Sequence, residues 1–87
     1  MSEYKFTGYF ENEVLRKRPY LNRGMCIYVI ENPVRVEHQD QNRIRFWAPI
    51  ADLGNRTLRV VTLADGKTIH NAFIEDLSHE AHILSRN

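Results

Sequence analysis

Val34-Arg35-Val36-Glu37-His38-Gln39, then Asp40-Gln41-Asn42, then Arg43-Ile44-Arg45-Phe46-Trp47-Ala48 follow one another directly, and their alternation decides the fold. Apolar and polar residues take turns in the first and third runs, the period-2 signature of half-buried strands. The three residues between them have the composition of a tight connection. Closing the hairpin over those three sets Gln39 opposite Arg43, Glu37 opposite Arg45 and Arg35 opposite Trp47. Val34, Val36, Ile44, Phe46 and Ala48 then share one face, with Arg35, Glu37, Arg43, Arg45 and Trp47 on the other. A two-residue loop would mix the two sets, because a one-residue slip inverts the faces of one strand. The three-residue loop is therefore expected, and it brings Glu37 and Arg45 together as a favourable cross-strand charge pair.

A second hairpin follows. Leu58-Arg59-Val60-Val61-Thr62-Leu63 and Thr68-Ile69-His70-Asn71-Ala72-Phe73 flank Ala64-Asp65-Gly66-Lys67. Asp-Gly between β-branched runs is a strong hairpin signal. With Asp65-Gly66 as a two-residue loop, Val61 faces His70, Arg59 faces Ala72, and Arg59 and His70 become diagonal neighbours. Leu58, Val60, Ile69 and Phe73 would line the other face. The two hairpins together predict a four-stranded antiparallel meander.

Upstream, Phe10 to Arg18 has helical spacing, with Glu11 and Glu13 in its first turn and Arg16-Lys17-Arg18 in its last. That placement matches the helix dipole at both ends, and Pro19 stops the helix. Asn22 suits the N-cap of a second helix, Arg23 to Glu31, whose Met25, Cys26, Val29 and Ile30 form an apolar stripe. Asn32-Pro33 ends it. Tyr4-Lys5-Phe6-Thr7-Gly8 has the composition of a short edge strand, and Ser78 suits the cap of a short C-terminal helix, His79 to Leu84. The expected architecture is α+β: two N-terminal helices on one face of the meander, in one domain of 87 residues with its core over 6–74 and a C-terminal tail over 75–87. The uncovered face would carry Arg35, Arg43, Arg45, Trp47, Arg59 and His70, with Val61 and Leu63 as an apolar fringe that invites a partner.

Composition narrows the function classes. The apolar runs are too short for a membrane-spanning helix or an export signal, and Cys26 has no cysteine to pair with. A cytoplasmic protein with a buried, inert thiol is the expectation. Net charge is only +1, but ten of the twelve Lys and Arg fall at or before Arg59. The positive surface therefore belongs to the helices and first three strands of the meander. It permits a nucleic-acid partner without requiring one.

Arginines interleaved with an aromatic suit RNA, since guanidinium groups meet phosphates and Trp47 can stack a base. Cleaving RNA without a metal needs a base for the 2′-hydroxyl, cations for the developing phosphorane charge and an acid for the leaving oxygen. His70 titrates in the range either proton role requires. Arg45 and Arg59 would supply the charge, and Glu37 or Tyr20 a second proton carrier. An exposed histidine beside an arginine is, equally, an ordinary surface pair. His79 and His82, one helical turn apart, fall short of a zinc site without further ligands, and no metal or cofactor site is expected.

Three stretches carry a resemblance: Arg16-Lys17-Arg18-Pro19-Tyr20, Val29-Ile30-Glu31-Asn32-Pro33, and the run from Leu58 to His70. Together they resemble the BrnT-like toxins, which belong with the wider RelE-like group of toxin–antitoxin ribonucleases. The resemblance spans roughly residues 6 to 74. It implies a small cytoplasmic, metal-independent endoribonuclease neutralised by a separately encoded antitoxin. On that reading His70, Arg45 and Arg59 are catalytic, and Arg16, Lys17, Arg18, Tyr20, Arg35, Arg43 and Trp47 bind RNA. The chain departs from the family at the end of its last strand. Asn71-Ala72-Phe73 stands where a Ser-Ala-Arg-like step is common, and acidic Glu75-Asp76 replaces a basic helix. A non-catalytic module on the same scaffold, binding RNA, a protein or a second copy of the chain, is therefore the alternative.

Overall fold

The computed structural model describes residues 3–75. The C-terminal features expected over residues 76–87, the helix from His79 to Leu84 and the His79/His82 pair among them, lie outside the described residues. The elements are β1 (Lys5–Phe6), α1, wound as a π-helix over Phe10–Val14 and as an α-helix over Leu15–Lys17, α2 (Arg23–Glu31), β2 (Arg35–Gln39), β3 (Arg43–Ile50), β4 (Arg56–Leu63) and β5 (Thr68–Ile74). A single turn of 3₁₀ helix, Ala51–Leu53, joins β3 to β4. The class is α+β, as expected. The sheet, however, is five-stranded and mixed, in the order β1-β5-β4-β3-β2. Lys5 and Phe6 pair in parallel with Thr68 and Ile69, which adds a strand to the antiparallel meander.

The two helices form where their caps dictate. Asn22 Oδ1 accepts the Met25 N–H at 2.8 Å, meeting one of the donors that a helix start leaves free. Asn32 N–H returns to the Tyr28 carbonyl at the other end. Thr7 Oγ1 accepts from Phe10 N–H and starts α1. The α2 helix lies across β3 and β4, and the start of α1 against β5. Phe10, Val14, Leu21, Cys26 and Val29 from the helical side close over Phe46, Ala48, Ile50, Leu58, Val60, Ile69 and Ala72. Burial pushes the Cys26 thiol up to about 12, so it stays protonated and unreactive.

In the first hairpin the register matches the sequence argument: Arg35 faces Trp47, Glu37 faces Arg45 and Gln39 faces Arg43. Asn42 takes the left-handed conformation that closes the three-residue loop (φ 59°). The second hairpin departs from expectation. Leu63 C=O accepts from Gly66 N–H, so the turn is centred on Ala64-Asp65, with Gly66 left-handed after it (φ 67°). Asp65 Oδ1 fixes the turn by accepting from Lys67 N–H and Thr68 N–H. Thr62 faces Ile69, but a bulge follows, and Val61 then faces Asn71 rather than His70. Arg59 faces Phe73, and Ala72 takes the core position expected of Phe73. An extra residue in one strand shifts everything beyond it by one, and period-2 patterning cannot see it.

Two expectations about exposure are also corrected. Val34 and Val36 lie 66% and 44% exposed, because the helices cover β3, β4 and β5 while β2 projects past them. On the opposite face Trp47 is only 2% exposed and Val61 is buried, so that front is not bare.

Candidate functional site

The front of the sheet is organised as cross-strand rows. One row runs Arg35, Trp47, Arg59, Phe73, each opposite the next in register. The Arg35 guanidinium lies 4.9 Å from the centre of the Trp47 ring, and that of Arg59 lies 5.9 Å from it. Arg59 also lies 4.7 Å from the Phe73 ring, whose other neighbour is Arg18 at 5.8 Å. Cations and aromatic faces thus alternate across the sheet, an arrangement that attracts through the ring quadrupole. Trp47 is covered by this packing, so its ring is not open to a base as the sequence reading had it.

Two carboxylates sit among these cations. Glu75 Oε1 accepts from Trp47 Nε1 at 3.1 Å and from Arg59 Nη1 at 3.0 Å. Partial burial pushes the Glu75 carboxyl up, but the Arg59 and Trp47 hydrogen bonds and the charges of Arg59 and Arg45 outweigh it and leave it below the ordinary range. Glu37 accepts from Arg35 Nη2 and stands 3.9 Å from Arg45 Nη1. Arg45 faces Val61, one row from Arg59, so the two arginines are diagonal neighbours. Each keeps a buried Nε–H with no acceptor among the described residues. Such donors cost free energy until an acceptor meets them.

His70 is placed differently from expectation. Its Nδ1 is 3.1 Å from Thr7 Oγ1, and its ring stacks on Tyr9 at 5.0 Å. Partial burial, and then the charge of Arg43, lowers its pKa and keeps the ring neutral near pH 7. The bulge thus ties His70 to the entry of α1 instead of setting it diagonal to Arg59.

The other expected residues divide. Arg18 joins the front through Phe73. Arg16 and Lys17 are exposed and lie 4.0 Å and 3.9 Å from Glu13 on their own helix. Tyr20 is exposed. Arg43 faces Leu63 two rows from Trp47. Sequence reasoning missed Glu75, Phe73, Thr7 and Tyr9. The signal for the first two was alternation carried past the bulge, which sets 71, 73 and 75 on the side of Arg59. Among the described residues there is no group of three or more His, Cys, Asp or Glu that could hold a metal ion. Nor is any helix among them long and apolar enough to cross a membrane.

Comparison with protein-family models, with curated proteins and with solved structures gave no match.

Proposed function

We propose that this chain acts on RNA as a toxin-type, metal-independent endoribonuclease held in check by a separately encoded antitoxin in the cytoplasm. The observation that supports it most is the pair Arg45 and Arg59, diagonal on one sheet face, with side chains 29% and 18% exposed. A phosphate oxygen is a fitting acceptor for the guanidinium ends of these side chains, and two of them suit the charge of a phosphorane. In the reaction the 2′-hydroxyl loses its proton and attacks the adjacent phosphorus, and the 5′-oxygen leaves with a proton. On this reading neutral His70 leaves Thr7 and Tyr9 to carry the proton from the 2′-hydroxyl to the leaving oxygen, with Arg45 and Arg59 on the non-bridging oxygens. Arg18, Arg35 and Arg43 extend the cationic track, with Arg16, Lys17 and Tyr20 at its helical end.

A second reading is favoured by a specific observation. Arg59 is already bonded to Glu75, and His70 is engaged by Thr7 and Tyr9. A module that binds RNA without cutting it needs the arginines but not the histidine. Incubating the purified protein with single-stranded RNA separates the two. Scission that disappears in Arg45→Ala, Arg59→Ala and His70→Ala supports the enzyme. Retention without scission, weakened by the arginine changes alone, supports the module. No interaction with RNA at low salt defeats both.

A further inference from the structure

β2 is the last strand of the sheet, and among the described residues no strand pairs with its outer edge. An unpaired edge offers a row of backbone donors and acceptors to any strand that fits. Val36 and His38 lie on its helix-side face and are exposed, as is Val34 just before the strand. On the other face stand Arg35 and Glu37.

We infer that this edge joins a second copy of the chain, two β2 strands pairing antiparallel about a two-fold axis through Val36. The sequence of the strand selects both the occupant and the register. With Val36 against its own copy, Arg35 falls opposite the partner's Glu37 and Glu37 opposite the partner's Arg35, so two opposite-charge pairs form at once. On the other side of the sheet, Val36 meets Val36 and Val34 meets His38, covering apolar surface that the helices leave open. Shifting the axis to Glu37 sets like charges against each other at the centre. An isologous contact of this kind is self-complementary by construction. The result is a continuous ten-stranded sheet. This inference does not depend on the RNA reading.

Sedimentation velocity over a concentration series tests it, with cysteine crosslinking to fix the register. In that register the two Val36 Cα atoms stand about 5 Å apart, within disulfide range. The two Val34 positions stand roughly 13 Å apart, four residues along the strand. Val36→Cys is expected to form a disulfide-linked dimer under mild oxidation and Val34→Cys to form none, while buried Cys26 stays out of the reaction. Arg35→Glu and Glu37→Arg alone are each expected to weaken the dimer roughly tenfold, and the double exchange to restore it. Melting curves monitor folding of each variant. A monomer at all concentrations overturns the inference. So does a dimer indifferent to the charge exchanges, or one that crosslinks equally at Val34.

Discussion

Glu75 and Arg59 meet at 3.0 Å on the front of the sheet, an ion pair that ties the end of β5 to β4. Glu75→Gln removes the charge and keeps the shape. Affinity for single-stranded RNA is expected to rise severalfold at low salt in this variant, since Arg59 is relieved of its internal anion. Filter binding of both proteins across a salt series measures it, and equal affinities would count against an RNA-binding front.

The same carboxylate makes stability depend on acid. Its folded pKa lies below the unfolded value, so the contribution is complete above the unfolded pKa near 4.5 and disappears as pH falls through the lower folded value. Wild type is expected to lose more stability than Glu75→Gln between pH 5 and about 3, by roughly 1 kcal/mol given the partial exposure of the pair. Urea melts at each pH provide the comparison.

Arg45→Ala and Arg59→Ala are each expected to lower RNA affinity and to make the salt dependence shallower by about 0.7 in log–log slope per lost phosphate contact. Arg56→Ala, an exposed arginine at the start of β4 that faces Ile50 on the helix side of the sheet, is expected to change both much less. Slopes that do not differ between these variants would remove the two front arginines from the interface.

His70 carries a second pH signature. Burial and Arg43 lower its folded pKa beneath the unfolded value of 6.5, so the neutral ring stabilises the fold fully above pH 6.5. That contribution falls as pH drops through the folded pKa. His70→Gln is expected to flatten the stability profile between pH 7 and 5. Thr7→Val is expected to cost about 1 kcal/mol by removing the hydroxyl shared between Phe10 N–H and the ring. NMR titration of the ring with a midpoint above 6.5 would contradict the assignment.

Two substitutions probe the frame itself. Phe10 is fully buried, 5.4 Å from the Phe6 ring, and Phe10→Ala is expected to cost about 3–5 kcal/mol. Gly54 sits at φ 68° with open space around it, so Gly54→Ala is expected to cost only the backbone strain, about 1–2 kcal/mol. Denaturant melts that rank them in the opposite order would contradict the packing described.

Local chemistry made much of this legible in advance. Asn22, Pro19 and Asn32-Pro33 punctuate the helices at the residues where they begin and end. The alternation around Asp40-Gln41-Asn42 leaves one register that buries a single face. The second hairpin resisted for a physical reason: a bulge adds one residue to β5 between Ile69 and Asn71, and period-2 patterning carries no trace of it. One inserted residue moved Phe73 from the core to the arginine row and carried Glu75 there with it. Exposure of Val34 and Val36 was equally illegible, since it depends on how far the helices reach and not on the strand that bears them.

At only two residues, β1 is the smallest strand, yet together with the bulge at His70 and the seat of Arg18 on Phe73 it occupies the β5 flank of the sheet. A molecule with both flanks available could keep adding neighbours and grow into a filament. Two residues of β1 give that flank too short an edge for another strand to pair along, so copies joined through β2, as inferred above, would stop at two.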